Sequence, residues 1–143
     1  MLQSALAVAI FVLGVAGPAW PGPAHWPLKI VGVGLAFAGA VVLVASARAL
    51  GSGFTPFPRP REAGHLVETG PYAVVRHPVY SGGILLFLGI SLALSPWALI
   101  AVAALAVLWA LKLRVEERFL LARYPAYADY RTRTRYRLIP FLY

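Results

Sequence analysis

This chain contains long segments with very few charged residues, and few water-soluble folds can accommodate such segments. Four apolar segments cover residues 2–20, 29–50, 79–94 and 97–113, and only three charged residues fall in them: Lys29, Arg48 and Lys112. A helix crosses a bilayer with about 20 apolar residues. A chain of 143 residues, 60% of them hydrophobic, is too small to bury them all in a soluble core. We predict an all-α integral membrane protein with about four transmembrane helices, the third and fourth forming a hairpin.

Proline and glycine mark the limits of these segments. Three prolines in residues 21–28 end the first segment, and Ser95-Pro96-Trp97 is a tight turn between the third and fourth. Pro78 occupies a first helical position, and helical spacing extends the fourth helix to about Arg123. The C-terminal tail, 114–143, is amphipathic. We expect it to lie on the membrane surface, anchored by five aromatic residues, Tyr124, Tyr127, Tyr130, Tyr136 and Phe141. All of residues 1–143 form one domain in this interpretation.

The charge distribution predicts an orientation. The net charge is +8, and every Lys and Arg except Lys29 lies in residues 48–78 or from Lys112 onward. The positive-inside rule places that face and both termini in the cytoplasm, where the charges also meet anionic headgroups. No nucleic-acid recognition motif accompanies the charge, so no nucleic-acid partner is expected. No basic residue precedes Lys29, which favours a first span over a cleaved signal peptide. With no cysteine and three dispersed histidines, the sequence predicts no metal site.

The stretch between the second and third segments is the candidate cofactor loop, 64–83, which reads GHLVETGPYAVVRHPVYSGG. Thr69–Tyr72 has the residues of a turn, and 73–77 can form a short helical turn. A hairpin of the last two segments would bring Arg76 and His77 to the depth of Glu116. A carboxylate beside these groups could orient a polar cofactor. Interfacial ion pairs, with Arg76 bonded to Glu68 or Glu116, are the purely structural alternative.

The order of these motifs resembles a known family. Leu-Val-x-x-Gly-Pro-Tyr, Arg-His-Pro-x-Tyr-x-Gly, a downstream Glu-Glu, Tyr-x-x-Tyr and a closing Leu-Ile-Pro-Phe occur in turn over residues 50–141. This string is similar to the isoprenylcysteine carboxyl methyltransferase family, which is related to the phospholipid methyltransferases. The resemblance implies a compact prokaryotic-type member in a bacterial or archaeal inner or plasma membrane.

The resemblance also implies the cofactor and the site. S-adenosylmethionine would be bound by Gly64, His65, Leu66, Val67, Tyr72, His77, Pro78, Val79, Tyr80, Glu116 and Glu117. Arg76 and His77 would serve catalysis. The family leads us to expect Arg one helical turn before Glu116, but Lys112 stands there, and Arg114 is the alternative contact for the substrate. The methyl acceptor would be a lipophilic molecule that enters from the bilayer. The carboxylate of an isoprenylcysteine-like compound is one candidate, and a small lipophilic acid, a thiol or a lipid amine is equally open. Membrane lipids are the other expected partner.

Two other functions stay open at this point. A membrane reductase that uses NADPH, with a layout like that of sterol reductases, would bind NADPH and not S-adenosylmethionine. A non-catalytic lipid-binding or scaffold protein would tolerate Ala at Tyr72, His77 and Glu116. The sequence also does not decide whether the Pro-rich segment 56–60 closes over the cofactor as a lid.

Overall fold

The computed structural model describes residues 1–53 and 66–140, and all of the regular structure within these ranges is helical. The five α-helices are α1 (Leu2–Ala16), α2 (His25–Leu50), α3 (Pro78–Leu94), α4 (Ala98–Arg123) and α5 (Tyr127–Arg133). Short 3₁₀ turns lie at Gly22–Ala24, Gly51–Gly53 and Gly70–Ala73. The prediction of an all-α chain is confirmed for the described residues.

Two of these helices are long and apolar enough to cross a membrane. They are α2 with its preceding turn, Gly22–Leu50, at 29 residues, and α4 at 26 residues. α1 has 15 residues and α3 has 17, about 22 and 26 Å at 1.5 Å per residue. Both fall short of the hydrocarbon thickness of about 30 Å. By length and composition the described helices therefore include two candidate spans, whereas the sequence led us to expect about four.

Proline explains most of the helix limits. α1 ends at Ala16 and not at Trp20, because Gly17 is extended and Pro18 follows it. Pro78 is the first residue of α3, as predicted. α4 continues unbroken to Arg123, which confirms the single long helix expected there. The short helical turn expected at 73–77 is wrong in its position. The turn lies at Gly70–Ala73, because Gly70 adopts a φ of 62° that starts the chain reversal.

The chain divides into two compact units. The first comprises Met1–Val41 and Gly82–Trp109, and the second Val42–Ser81 and Ala110–Tyr143. The first unit has an apolar core in which one face of α1 packs on α4, and its buried members are Ile10, Ala98, Ala101, Val102 and Leu105. One domain over residues 1–143 stays a prediction.

Glycines bring α2 and α3 into close contact within the first unit. A Cβ built on Gly32 would lie 2.6 Å from the carbonyl oxygen of Gly89, and one on Gly39 would lie 2.7 Å from that of Gly82. Backbone cannot yield at such distances, so only glycine fits at these positions. The other face of α2 exposes large apolar side chains at helical spacing, namely Ile30, Val33, Phe37, Val41 and Val44. A helix that is apolar on both faces is typical of a protein whose solvent is lipid.

The second unit holds the C-terminal residues, and here one expectation is wrong. Tyr127 and Tyr130 were expected to anchor the tail on the membrane surface, but they are 1% and 2% exposed. Their rings lie 5.6 Å apart and pack inside the unit. Phe141 lies outside the described residues, and so do Gly64, His65 and the segment 56–60.

Candidate active site

The segment before α3 is held by the C-terminal residues. The backbone N–H of Arg76 donates to the carbonyl oxygen of Tyr136 at 2.9 Å, and that of His77 donates to Arg137 at 3.0 Å. One turn later the Ser81 hydroxyl donates to the carbonyl oxygen of Leu138 at 2.6 Å. Residues 136–138, which form neither helix nor strand, thus lie beside the start of α3. They accept hydrogen bonds from the N–H groups of Arg76 and His77, which have no partner within a helix.

Arg76 is the most heavily bonded side chain of the cluster. Its Nε donates to Glu117 Oε1 at 2.9 Å, and its Nη1 donates to the carbonyl oxygens of Thr134 and Arg135 at 2.8 and 2.6 Å. The residue is 7% exposed. The planar guanidinium therefore joins α4 to the tail in a way that a lysine could not reproduce. The sequence offered Glu68 or Glu116 as the ion-pair partner of Arg76 in the purely structural alternative. The partner is instead Glu117, and Glu68 pairs with Arg133 at 2.7 Å.

Glu117 is the buried carboxylate at the centre of the cluster. Besides Arg76, its Oε2 accepts from Arg137 Nη2 at 3.0 Å, and His77 Nε2 lies 3.4 Å from Oε1. Its side chain is 6% exposed. A buried carboxylate is tolerable only where cationic donors surround it, and two arginines do so here. Glu117 therefore holds the other groups in place.

Glu116 faces another set of partners. Successive helix residues point about 100° apart, so the two glutamates reach different neighbours. Glu116 Oε2 accepts from the Tyr80 hydroxyl at 2.8 Å, and Oε1 lies 3.9 Å from His77 Nδ1. Its side chain keeps 23% exposure. Lys112 Nζ lies 5.6 Å from the centre of the Tyr80 ring, a cation–π distance. Glu116 is thus the more accessible carboxylate, beside an aromatic ring and a cation.

Two buried polar atoms in this unit have no hydrogen-bond partner within the described part of the chain. They are His77 Nε2 and the Tyr127 hydroxyl. The contact of His77 Nε2 with Glu117 Oε1 at 3.4 Å does not have hydrogen-bond geometry. A buried donor or acceptor without a partner costs about 1–3 kcal/mol. Such atoms are what a polar ligand would satisfy.

The two buried tail tyrosines differ in their hydroxyls. Tyr130 donates to the carbonyl oxygen of Tyr72 at 2.7 Å and so ties α5 to the turn at Gly70–Ala73. Burial raises the pKa of Tyr130 to about 12. Burial also raises the pKa of Tyr127, and the nearby charge of Glu117 adds to the rise. Both phenols stay neutral at physiological pH, so Tyr127 can act as a hydrogen-bond donor.

Every predicted site residue that the structure describes lies in this second unit, but these residues differ in their contacts. His77, Tyr80, Glu116, Glu117 and Lys112 form one cluster with Arg76. Pro78 is fully buried at the start of α3 and Val79 half-buried beside it. Leu66 and Val67 lie half-buried in the irregular segment ahead of the turn, and Tyr72 is buried within the turn.

Arg114 is not brought into the cluster. It is exposed, and it makes no hydrogen bond or ion pair with the residues the structure describes. The physical reason is helical geometry, because Lys112 and Glu116 are four residues apart and share a face of α4, while Arg114 points away from them. Within residues 1–53 and 66–140, no three His, Cys, Asp or Glu side chains lie close enough to hold a metal ion.

The sequence reasoning missed five contributors from the tail: Tyr127, Tyr130, Thr134, Arg135 and Arg137. The pair Tyr127-x-x-Tyr130 belongs to the motif string, but alone an aromatic basic tail is equally typical of an interfacial segment. Thr134 contributes a backbone carbonyl, which no side-chain pattern reveals. The downstream motif was the signal that could have placed the tail at the site.

Two known proteins resemble this chain, one in sequence and one in fold. Cobalt-zinc-cadmium resistance protein CzcN of Cupriavidus metallidurans is 38% identical over 76 residues, which are 52% of this chain and 35% of that protein. The structure of the eukaryotic intramembrane Ras methyltransferase ICMT (isoprenylcysteine carboxyl methyltransferase) superposes with a TM-score of 0.67 at 24% identity. That match covers 99% of this chain and 51% of the ICMT chain, and it shows a shared fold.

A family model described as phospholipid methyltransferase matches residues 28–126. The match runs from α2 through α4 and includes Arg76, His77 and both glutamates. The predicted likeness to the isoprenylcysteine carboxyl methyltransferase fold is thereby confirmed, and the chain belongs to the phospholipid methyltransferase family.

Proposed function

We propose that this protein transfers a methyl group from S-adenosylmethionine to a lipophilic acceptor at the membrane. The observation that carries the proposal is the cluster around Glu116 and Glu117 in a chain of this family, where two buried polar atoms have no hydrogen-bond partner among the described residues. The carboxylate of an isoprenylcysteine-like molecule is the acceptor we favour.

The residues present fit the cofactor. S-adenosylmethionine carries a carboxylate, an ammonium group and ribose hydroxyls, so it needs donors as well as acceptors. The Tyr127 hydroxyl and His77 Nε2 offer buried hydrogen-bonding positions, and the part-exposed Glu116 can accept from an ammonium or a ribose hydroxyl. The other cofactor contacts that we propose are Gly64, His65, Leu66, Val67, Tyr72, Pro78, Val79, Tyr80 and Glu117.

In this proposal the chain positions the reactants and supplies little acid–base chemistry. When bound, S-adenosylmethionine supplies an electrophilic methyl group on a sulfonium, and an ionised carboxylate can accept it without losing a proton. Arg76 is a positioning residue, because its three hydrogen bonds all go to Glu117 and the tail. It orients Glu117 and the adjacent His77. Accurate placement with exclusion of water contributes most of the rate in such transfers.

Lys112 is the residue we assign to the acceptor. It is half-buried on the same face of α4 as Glu116, above the Tyr80 ring. A lysine gives a carboxylate one point charge and not the two-pronged contact of an arginine, so we expect a broader range of acceptors. An acceptor that comes from the bilayer would reach Lys112 along α4. We also propose that this face and both termini lie in the cytoplasm, where S-adenosylmethionine is available.

Equilibrium binding of S-adenosylmethionine to the detergent-purified protein tests the proposal. We expect saturable binding that Glu116→Ala weakens at least tenfold. Arg118→Ala is the matched control, since this exposed residue of α4 makes no ion pair with described residues. Binding of NADPH in place of S-adenosylmethionine would support the reductase alternative. Binding of neither by a folded protein would favour a scaffold.

A further inference from the structure

A basic cleft lies beside the cluster in the second unit. Its volume is about 380 Å³. Three arginines dominate its lining, which consists of Arg76, Leu121, Ala128, Arg131, Thr132 and Arg135. Arg76 is the one residue that it shares with the cluster around Glu117. The methyl-transfer proposal gives no role to the other residues.

Two of the three arginines in the cleft carry charge that the described residues do not balance. Arg76 is paired with Glu117, but the side chains of Arg131 and Arg135 make no ion pair or hydrogen bond within residues 1–53 and 66–140. The acid on α5 is Asp129, which is exposed and forms no ion pair with described residues. Two arginines that line one small concave surface therefore carry charge without a partner among the described residues, which favours an anion.

The surroundings indicate what kind of anion fits. Guanidinium groups bind phosphate oxygens through paired N–H donors, and the Thr132 hydroxyl adds none because it already donates to the carbonyl oxygen of Asp129 at 2.7 Å. Leu121 is 39% exposed at the rim and offers an apolar contact. It lies near the end of α4, where an apolar helix becomes basic, and this change is typical of headgroup depth. Arginines at this depth attract anionic lipids.

We propose that this cleft binds the phosphate of an anionic phospholipid headgroup. The site is separate from the methyl acceptor at Lys112, and it does not depend on methyl transfer. Lipid bound there would fix α5 and the tail at the membrane surface. A free phosphate shares the same chemistry, so the test must separate the two sources.

Native mass spectrometry of the full-length, detergent-purified protein can count retained lipids. The probes are dioleoyl-phosphatidylglycerol, dioleoylglycerol, which lacks the phosphate, and inorganic phosphate as a competitor. The test variant is Arg131→Gln/Arg135→Gln. The control is Lys29→Gln/Arg48→Gln, which also removes two positive charges but none from the cleft.

We expect retention of phosphatidylglycerol with little retention of dioleoylglycerol. Each arginine near a headgroup is worth about 1 kcal/mol, or about fivefold in affinity, so the cleft variant should bind about 25-fold more weakly. The control should change less than twofold. An equal loss in both variants, or no retention in the unmodified protein, would overturn the proposal. Binding of inorganic phosphate without retention of phosphatidylglycerol would keep the phosphate site and overturn the lipid assignment.

Discussion

Replacing Arg76 should destabilise the protein far more than replacing an exposed arginine of the same unit. Arg76→Gln removes the ion pair with Glu117 and both bonds to the carbonyl oxygens of Thr134 and Arg135. Breaking a buried ion pair from one side costs about 3–5 kcal/mol, because the remaining charge stays buried. Arg137 still contacts Glu117 at 3.0 Å, so we expect the lower half of that range.

Arg133→Gln is the matched control for burial. Its pair with Glu68 is as short, at 2.7 Å, but the Arg133 side chain is 65% exposed. Such surface pairs contribute about 0–1 kcal/mol. The loss of stability for Arg76→Lys should lie between those of Arg76→Gln and Arg133→Gln, because lysine keeps the positive charge but cannot make the two-pronged contacts of a guanidinium. The free energy of unfolding in mixed micelles, followed by circular dichroism against SDS, measures all three. A loss for Arg76→Gln within 1 kcal/mol of that for Arg133→Gln would refute the role given to Arg76.

Three further predictions concern packing and the tail. Gly39→Ala should lower stability by about 1–3 kcal/mol, as seen in thermal unfolding, because its Cβ would meet backbone, whereas Gly34→Ala should be neutral because nothing lies within 4 Å. Tyr130→Phe should lower stability by about 1 kcal/mol, because it loses the hydrogen bond to the carbonyl oxygen of Tyr72. Tyr127→Phe should lower stability less, but it should weaken the binding of S-adenosylmethionine. Burial raises the pKa of Tyr130 to about 12, against about 10 in the unfolded chain. Stability should therefore be constant up to about pH 10 and fall between pH 10 and 12, and this fall should be smaller in Tyr130→Phe.

Local rules in the sequence predicted much of the fold. Pro78 can occupy only a first helical turn, and α3 begins there. The helical spacing of Leu113, Leu120 and Leu121 predicted that α4 would run on to Arg123, and it does. Segment hydropathy did not give the length of α1, because Gly17 and Pro18 interrupt an apolar run that continues to Trp20.

The site could be predicted only in part from the sequence. Motif order brought Arg76, His77 and Glu116 together, but it could not choose between adjacent glutamates. That choice depends on the rotation of α4, which fixes Glu117 on Arg76 and Glu116 on Tyr80. The burial of Tyr127 in α5 was also not predictable, because the residues that follow α5, 134–138, have no helical or strand period and bond to Arg76, His77 and Ser81 through backbone carbonyls.

Transfer of label from [methyl-³H]-S-adenosylmethionine to a membrane acceptor tests the central claim most directly. The acceptors are N-acetyl-S-farnesylcysteine, which offers a carboxylate, and phosphatidylethanolamine, which offers an amine. We expect enzyme-dependent label in farnesylcysteine that base releases as methanol, as an ester requires, and a loss of this label in Glu116→Ala but not in Arg118→Ala. Base-stable label in phosphatidylethanolamine would contradict the carboxylate assignment. Label in neither acceptor above the Glu116→Ala background would contradict the account of this site.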